Sequence, residues 1–168
     1  PTWDPMLPYT KEQYHASLTF SQQDKDWSSY SYYATSTVVA DAGADATAYA
    51  ARAYWRPQDS GTATPEISVG YDISSIDDAT ATTDETDAYF VGLTWKELFQ
   101  PDDKIGVAFG QPQTREDEVV DPFMWEAYYS FKPNDSVTIT PALFGGSDVN
   151  GTSGQDITGA VIETTFKF

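Results

Sequence analysis

The sequence predicts an all-β fold, a transmembrane antiparallel up-and-down β-barrel, and three observations carry that expectation. The first is the last nine residues, AVIETTFKF, in which Ala160, Ile162, Thr164, Phe166 and Phe168 fall on one face and Val161, Glu163, Thr165 and Lys167 on the other. A period of two is a β-strand between two different environments. The second is that this alternation recurs along the whole chain. The third is compositional: aromatics make up 15% of the 168 residues, with 11 Tyr, 9 Phe and 5 Trp, while the mean hydropathy is −0.46. No apolar run approaches the roughly 20 residues of a membrane-spanning helix. A chain rich in aromatics yet hydrophilic on average suits a barrel in which every second residue faces water.

Turn-rich acidic stretches separate about nine alternating segments. They are 13–20, 28–37, 46–56, 65–74, 87–95, 104–111, 122–131, 136–144 and 160–168. In order, the apolar sets are Tyr14, Ala16, Leu18, Phe20, then Tyr49, Ala51, Ala53, Trp55, then Ile67, Val69, Tyr71, Ile73. They continue with Tyr89, Val91, Leu93, Trp95, then Ile105, Val107, Phe109, then Phe123, Trp125, Ala127, Tyr129, Phe131, then Val137, Ile139. Opposing positions are polar or small, among them His15, Ser17, Ser68, Thr138 and Thr140. The segment SSYSYYATST at 28–37 alternates least cleanly.

A soluble β-sandwich would alternate in the same way with its apolar face inward. Aromatic placement favours the barrel. With the C-terminus at the periplasmic side and strands threaded up and down, Phe20, Trp55, Trp95, Phe131 and Phe168 fall at periplasmic ends. Tyr14, Tyr49, Tyr71, Tyr89, Phe109, Phe123 and Trp125 fall toward the outer ends, with mostly aliphatic residues between. Two aromatic belts flanking an aliphatic band are a membrane-interface pattern. The turns this threading puts in the periplasm (SQQDKDW, PQDSGTAT, KELFQPDD, KPND) are mostly shorter than SIDDATATTDET, PQTREDEVVD and GGSDVNGTSGQDITG on the other side. Bacterial single-chain barrels have an even strand number, so residues 1–168 are expected to be the C-terminal portion of a larger barrel, with PTWDPMLPYT as an outer loop.

A net charge of −17 with no basic stripe argues against nucleic acid as a partner. With no cysteine there are no disulfides and no thiolate ligands.

Several stretches carry a resemblance: AYAARAYWRP at 48–57, PEISVGYD at 65–72, YFVGLTWKELFQPDDKIGVAFGQPQ at 89–113, EAYYSFKPNDSVTITPALF at 126–144 and GAVIETTFKF at 159–168. In wording and order, residues 46–168 resemble cyanobacterial members of the carbohydrate-selective (OprB-like) outer-membrane porin family. The resemblance implies a multi-stranded diffusion channel in the outer membrane of a Gram-negative-type, cyanobacterial envelope. It further implies a homotrimer in contact with outer-membrane lipid, passing sugars or small ions, with no cofactor and no catalytic site. Family members look like longer chains with an N-terminal cell-wall-binding module.

By the alternation, Arg52, Arg56, Glu66, Asp72, Glu126, Glu163 and Lys167 face a water-filled lumen, where wall charge sets ion preference. Facing lipid, Arg or Lys would cost up to about 2–4 kcal/mol at the midplane. Arg52, Glu66 and Glu126 are candidates for a constriction, against the plainer reading of solvated wall residues. Acidic loops carrying Asp77, Asp78, Asp84, Glu85, Glu116, Asp117 and Glu118 would enrich cations at a pore mouth. They lack the spacing of a calcium loop, so no metal site is expected. Inward Tyr33, Tyr54, Phe90 and Tyr128 would be rungs of a sugar track. The single histidine, His15, shares a face with Ser17, but no catalytic motif supports the pair. The expected function is passive diffusion of small hydrophilic solutes and inorganic ions, with a carbohydrate-selective channel as the alternative. A secreted β-sandwich binding module or a tether between outer membrane and cell wall stands outside that class.

Overall fold

The computed structural model describes residues 6–23, 45–59, 63–77, 85–115 and 119–168. These residues form β1 (Met6–Lys11), β2 (Tyr14–Gln23), β3 (Asp45–Trp55), β4 (Glu66–Asp77) and β5 (Glu85–Lys96). They continue with β6 (Lys104–Arg115), β7 (Phe123–Asn134), β8 (Val137–Ser147), a 3-10 turn (Val149–Gly151) and β9 (Ile157–Phe166). All nine strands lie in one sheet in sequence order, β1 to β9, each antiparallel to the next. The fold is an all-β, up-and-down antiparallel sheet. It is open, with β1 and β9 at its two edges and no pairing between them among the described residues.

Turn chemistry fixes where strands reverse. β1 and β2 are joined through Glu12–Gln13, and β7 and β8 through Asp135–Ser136, where Asn134 Oδ1 accepts the Ser136 N–H at 2.9 Å. At this end the β5–β6 turn places Glu97 and Asp102 at positive φ, 54° and 65°. The opposite end carries the β8–β9 loop, in which Asp148, Asn150, Gly151 and Gly154 take positive φ. Asp, Asn and Gly are the residues that tolerate this conformation. The Asp148 carboxylate then accepts the Gly154 N–H at 2.7 Å.

Three expectations are corrected. Met6–Lys11 is a strand rather than a loop; Pro8, opposite Ser17, is tolerated because β1 is an edge strand. β2 pairs directly with β3, so Tyr14 lies opposite Trp55 and Phe20 opposite Tyr49. Tyr14 and Phe20 therefore exchange the levels that threading a strand through 28–37 assigned them. For the same reason SQQDKDW leaves β2 at the long-loop end, since Gln23 lies opposite Ala46. The segment 28–37 itself lies outside the described residues. β9 spans Ile157–Phe166 rather than 160–168, and the Lys167 N–H still donates to Ser136 O at 2.9 Å.

Directly opposed residues share a face, so the registers divide the sheet into two surfaces. One is apolar, with rows such as Ala16–Ala53–Val69–Val91–Phe109–Trp125 and Tyr14–Trp55–Ile67–Leu93–Val107–Ala127–Leu143–Ala160. The other carries the rows Ser17–Arg52–Gly70–Phe90–Gly110–Met124–Gly146 and His15–Tyr54–Ser68–Gly92–Ala108–Glu126–Phe144–Gly159. Burial is inverted relative to a soluble protein. On the apolar face Leu18, Leu143 and Ile162 are 60%, 56% and 71% exposed, whereas the buried apolar side chains in the ladders are, among the described residues, the small Ala48, Ala50 and Ala142, all on the polar face. Buried there too are Thr19, Ser21, Ser74 and Thr86. A soluble monomer rarely leaves so extended an apolar surface in water.

On the polar face, large side chains alternate with glycine across the strands and lie over it. A Cβ at Gly70 would stand 2.8 Å from both Arg52 Cδ and Phe90 Cδ1. At Gly110 the obstacle is backbone: a Cβ would meet the Tyr89 carbonyl oxygen and stand 2.7 Å from Phe90 Cα, beside the bulge between Asp87 and Tyr89. Gly110→Ala is expected to destabilise the sheet by about 1–3 kcal/mol, the usual cost of overpacking. Gly92→Ala, whose nearest neighbour would be Ser68 Cβ at 3.7 Å, is expected to be tolerated. Urea or heat unfolding of the two variants side by side checks the contrast.

Candidate functional site

The polar face brings together all seven residues predicted to line a lumen. Arg52, Arg56, Glu66, Asp72, Glu126, Glu163 and Lys167 fall on this one surface by register or by its continuation past the strand ends. Two are tied to each other across neighbouring strands. Arg52 Nη2 donates to Asp72 Oδ2 at 2.5 Å, and Arg52 Nη1 donates to the carbonyls of Ala51 at 3.0 Å and Tyr71 at 3.2 Å. The guanidinium carbon sits 5.6 Å from the Phe90 ring centre, a cation–π arrangement. Arg52 is thereby pinned against the wall with its charge offset by Asp72. Glu66 is tied to a residue that the pattern had not singled out: Lys96 Nζ lies 2.7 Å from Glu66 Oε2.

Lys96 and Lys104 are the wall residues that sequence reasoning missed. Predicted bounds of 87–95 stopped a residue short of Lys96, and 104–111 began at Lys104 without assigning it a face. Both belong to the polar surface, since Lys96 lies directly opposite Lys104 and Thr94 opposite Gly106. The signal was present: Lys96 follows Thr94 by two on the side away from Trp95. Glu126 and Glu163 form no ion pair among the described residues; Glu163 accepts a hydrogen bond from Thr165 at 3.3 Å. Glu126, Arg52 and Glu66 occupy different rows of the sheet, on β7, β3 and β4.

Aromatic residues also occupy this face. Tyr54, Phe90 and Tyr128 project from it, as does Phe144, which the sequence reading left out; Tyr33 lies outside the described residues. The His15 ring stacks on Tyr54 at 5.3 Å and 13°, and the Arg56 guanidinium carbon lies 4.7 Å from the same Tyr54 ring. His15 is thus part of an aromatic stack. At the long-loop end, Ser74 Oγ and Thr86 Oγ1 are 2.5 Å apart, and Gln113 Nε2 donates to Thr86 Oγ1 at 2.8 Å.

On the apolar face the aromatics recur at a six-residue spacing: Tyr14 and Phe20, Tyr49 and Trp55, Tyr89 and Trp95, Trp125 and Phe131. Six residues span about 20 Å of strand. Phe20–Tyr49 and Phe109–Phe123 pack ring to ring near the long-loop end, 5.2 and 6.2 Å between centres. Toward the short-turn end Tyr129 stacks on Phe131 at 5.4 Å, and Phe99 meets Tyr129 edge-on at 6.2 Å. Tyr71 and Tyr89 are directly opposed, while Phe168 lies beyond the last strand. Polar residues return to the apolar face past Tyr89, where Gln111 Nε2 donates to Asp87 at 3.3 Å.

One buried carboxylate organises the β5–β6 turn. Asp103 accepts the backbone N–H groups of Leu98 (2.9 Å), Phe99 (3.1 Å) and Gln100 (3.0 Å), and the Tyr129 hydroxyl at 3.2 Å. Burial alone would raise its pKa; the donors from Gln100, Phe99, Leu98 and Tyr129 outweigh it and hold the carboxyl below its ordinary value. Nothing in the spacing of ELFQPDD announces this role, because it depends on how the turn folds back on itself. Among the described residues no group of three or more His, Cys, Asp or Glu side chains could hold a metal; Asp78, Asp84, Glu116, Asp117 and Glu118 lie outside the described residues.

Comparison with protein-family models, with curated proteins and with solved structures gave no match to this chain. The class defined here is therefore one of architecture: an open antiparallel sheet with one apolar exposed face and one polar, charge-bearing face.

Because its folded pKa is depressed, Asp103 contributes stability at pH values above the ordinary carboxylate value of 3.8, and the contribution is lost as pH falls through the lower folded value. Amide hydrogen exchange at Leu98, Phe99 and Gln100 is expected to be faster in Asp103→Asn than in the native protein at neutral pH. The difference should shrink once the native carboxyl is protonated in strong acid.

Proposed function

We propose that this chain is part of the wall of an outer-membrane porin, an aqueous channel for passive diffusion of small hydrophilic solutes and inorganic ions. The observation that carries the proposal is the inverted burial of the sheet: large aliphatic and aromatic side chains are exposed on one face, while the opposite face buries only small residues and bears the ion pairs. A nine-stranded sheet with this distribution has its apolar face matched to lipid and its polar face matched to water. Aromatics bracketing an aliphatic band support the same placement. That no helix among the described residues is long and apolar enough to cross a membrane carries no weight, since strands would do the crossing. In this reading the open edges are satisfied by further strands, because an unpaired sheet edge is costly in hydrocarbon. The partners are outer-membrane lipid and two further copies in a trimer, and no reaction is catalysed.

A lumen wall of this kind selects by width and charge. Tyr54, Phe90, Tyr128 and Phe144 on the polar face favour a second reading, in which the solute is a sugar that stacks on aromatic rings.

The membrane placement makes opposite predictions for the two faces. Val69→Arg, on the apolar face, is expected to lower the stability of the inserted protein by about 2–4 kcal/mol if near the bilayer midplane. Ala108→Arg, exposed on the polar face opposite Glu126, should insert normally. Unfolding from lipid vesicles distinguishes them, and equal effects would contradict the placement. The channel itself is tested by single-channel recording of the native protein in a planar bilayer. Ohmic currents are expected; current reduced by added oligosaccharide would select the sugar reading. Folded, inserted protein that passes no current would overturn the proposal.

A further inference from the structure

At the short-turn end of the polar face, four consecutive strands, β3 to β6, carry Arg56, Glu66, Lys96 and Lys104. Arg56 continues the β3–β4 register to face Glu66, because Trp55 pairs with Ile67. Glu66 nevertheless gives its carboxylate to Lys96, at 2.7 Å. That leaves Lys104, exposed and directly opposite Lys96, and Arg56 without an ion pair among the described residues. At this end of the polar face, β3 to β6 thus carry three cations and, in their ladders, the single carboxylate of Glu66. Like charges placed directly opposite across two strands are destabilising, and Lys104 has no ion pair among the described residues that would offset its place opposite Lys96.

Arg56 is also held ready. Its guanidinium lies over the Tyr54 ring at 4.7 Å, and its Nε has no hydrogen-bond partner among the described residues. Arg56 is half-buried rather than enclosed, and its guanidinium, unlike that of Arg52, has no carboxylate partner among the described residues, so an oxyanion reaching this point of the wall would supply one. From Arg56 to Lys104 is three inter-strand steps and two residues along the strand, about 16 Å between backbones, a span within the combined reach of the two long side chains and a small anion between them.

We infer that Arg56, Lys96 and Lys104 form a binding station for small oxyanions on the polar wall, of the class of inorganic phosphate or the phosphate or carboxylate group of a small solute. Arginine supplies a planar fork of donors and the lysines supply point charges, the combination suited to a tetrahedral oxyanion. The station opposes the attraction for cations exerted by the acidic loops at the other end. The inference rests on the channel reading, and its test separates the two.

The test is chloride current through the native protein in a planar bilayer, with inorganic phosphate added at the short-turn side. Phosphate is expected to reduce the current. In Lys104→Gln and in Arg56→Gln the half-blocking concentration should rise about tenfold, equivalent to about 1.4 kcal/mol. Lys104 is exposed, so its variant keeps the test decisive if loss of the Arg56–Tyr54 stack impairs folding. Lys132→Gln, which removes a cation paired instead with Asp102 at 3.3 Å, should leave the block unchanged. Equal block of native protein and Lys104→Gln overturns the station while leaving the channel intact, as does equal relief by Lys132→Gln. No current from inserted native protein overturns the channel reading and the station with it.

Discussion

Register is the constraint on which everything else in this sheet depends. Along each of the eight ladders the side-chain period is two, so a slip of one residue would carry an entire strand's apolar set to the opposite face. In β3 such a slip would bring Tyr49, Ala51, Ala53 and Trp55 beside Asp72 and Ser74, and would turn Arg52 toward Val69 and Tyr71. The ion pair of Arg52 with Asp72 and that of Lys96 with Glu66 each join adjacent strands and form only in the observed register. They are partly exposed, so each contributes modestly to stability, in the range of about 0–1 kcal/mol. Their larger effect is on specificity, because a slipped strand would strand a charge on an apolar surface.

The glycine lanes follow from the same register. Phe90 lies between Gly70 and Gly110, and Tyr128 lies beside Gly106. An aromatic ring beside a glycine settles flat against the sheet instead of standing off it. Large side chains can thus sit on the polar face without projecting their full length from it. Lys104 has no such lane: it stands opposite Lys96 and Ser130 and is exposed. The relief of this wall is therefore set by which residue faces a glycine, more than by residue size.

Strand positions and faces were legible because alternation is strong in segments such as Tyr89–Val91–Leu93–Trp95, where both sets differ sharply in polarity. β1 was not legible because Pro8 reads as loop, although an edge strand tolerates a proline. The direction of β2 was misread because 28–37 carries enough alternation to suggest a strand between β2 and β3, and no local feature reveals that Gln23 lies opposite Ala46. On the wall, Arg52, Glu66 and Asp72 were found because they alternate with the apolar residues Ala51, Ile67 and Tyr71. Their partners were not, because which carboxylate Lys96 reaches depends on cross-strand distance. Asp103 was invisible for a related reason: its partners are backbone amides gathered by a turn whose shape requires positive φ at Glu97 and Asp102.

Every ladder joins strands adjacent in sequence, and two of the reversals, at Glu12–Gln13 and Asp135–Ser136, take only two residues. This has a kinetic meaning. Closing a short loop costs little chain entropy, and chains dominated by local pairing fold faster than those that must first bring distant segments together. Each hairpin offers its free edge as a template for the next strand. The β7–β8 hairpin, with its tight Asn134-capped turn, is then a natural nucleus, and assembly can spread outward from it one neighbour at a time.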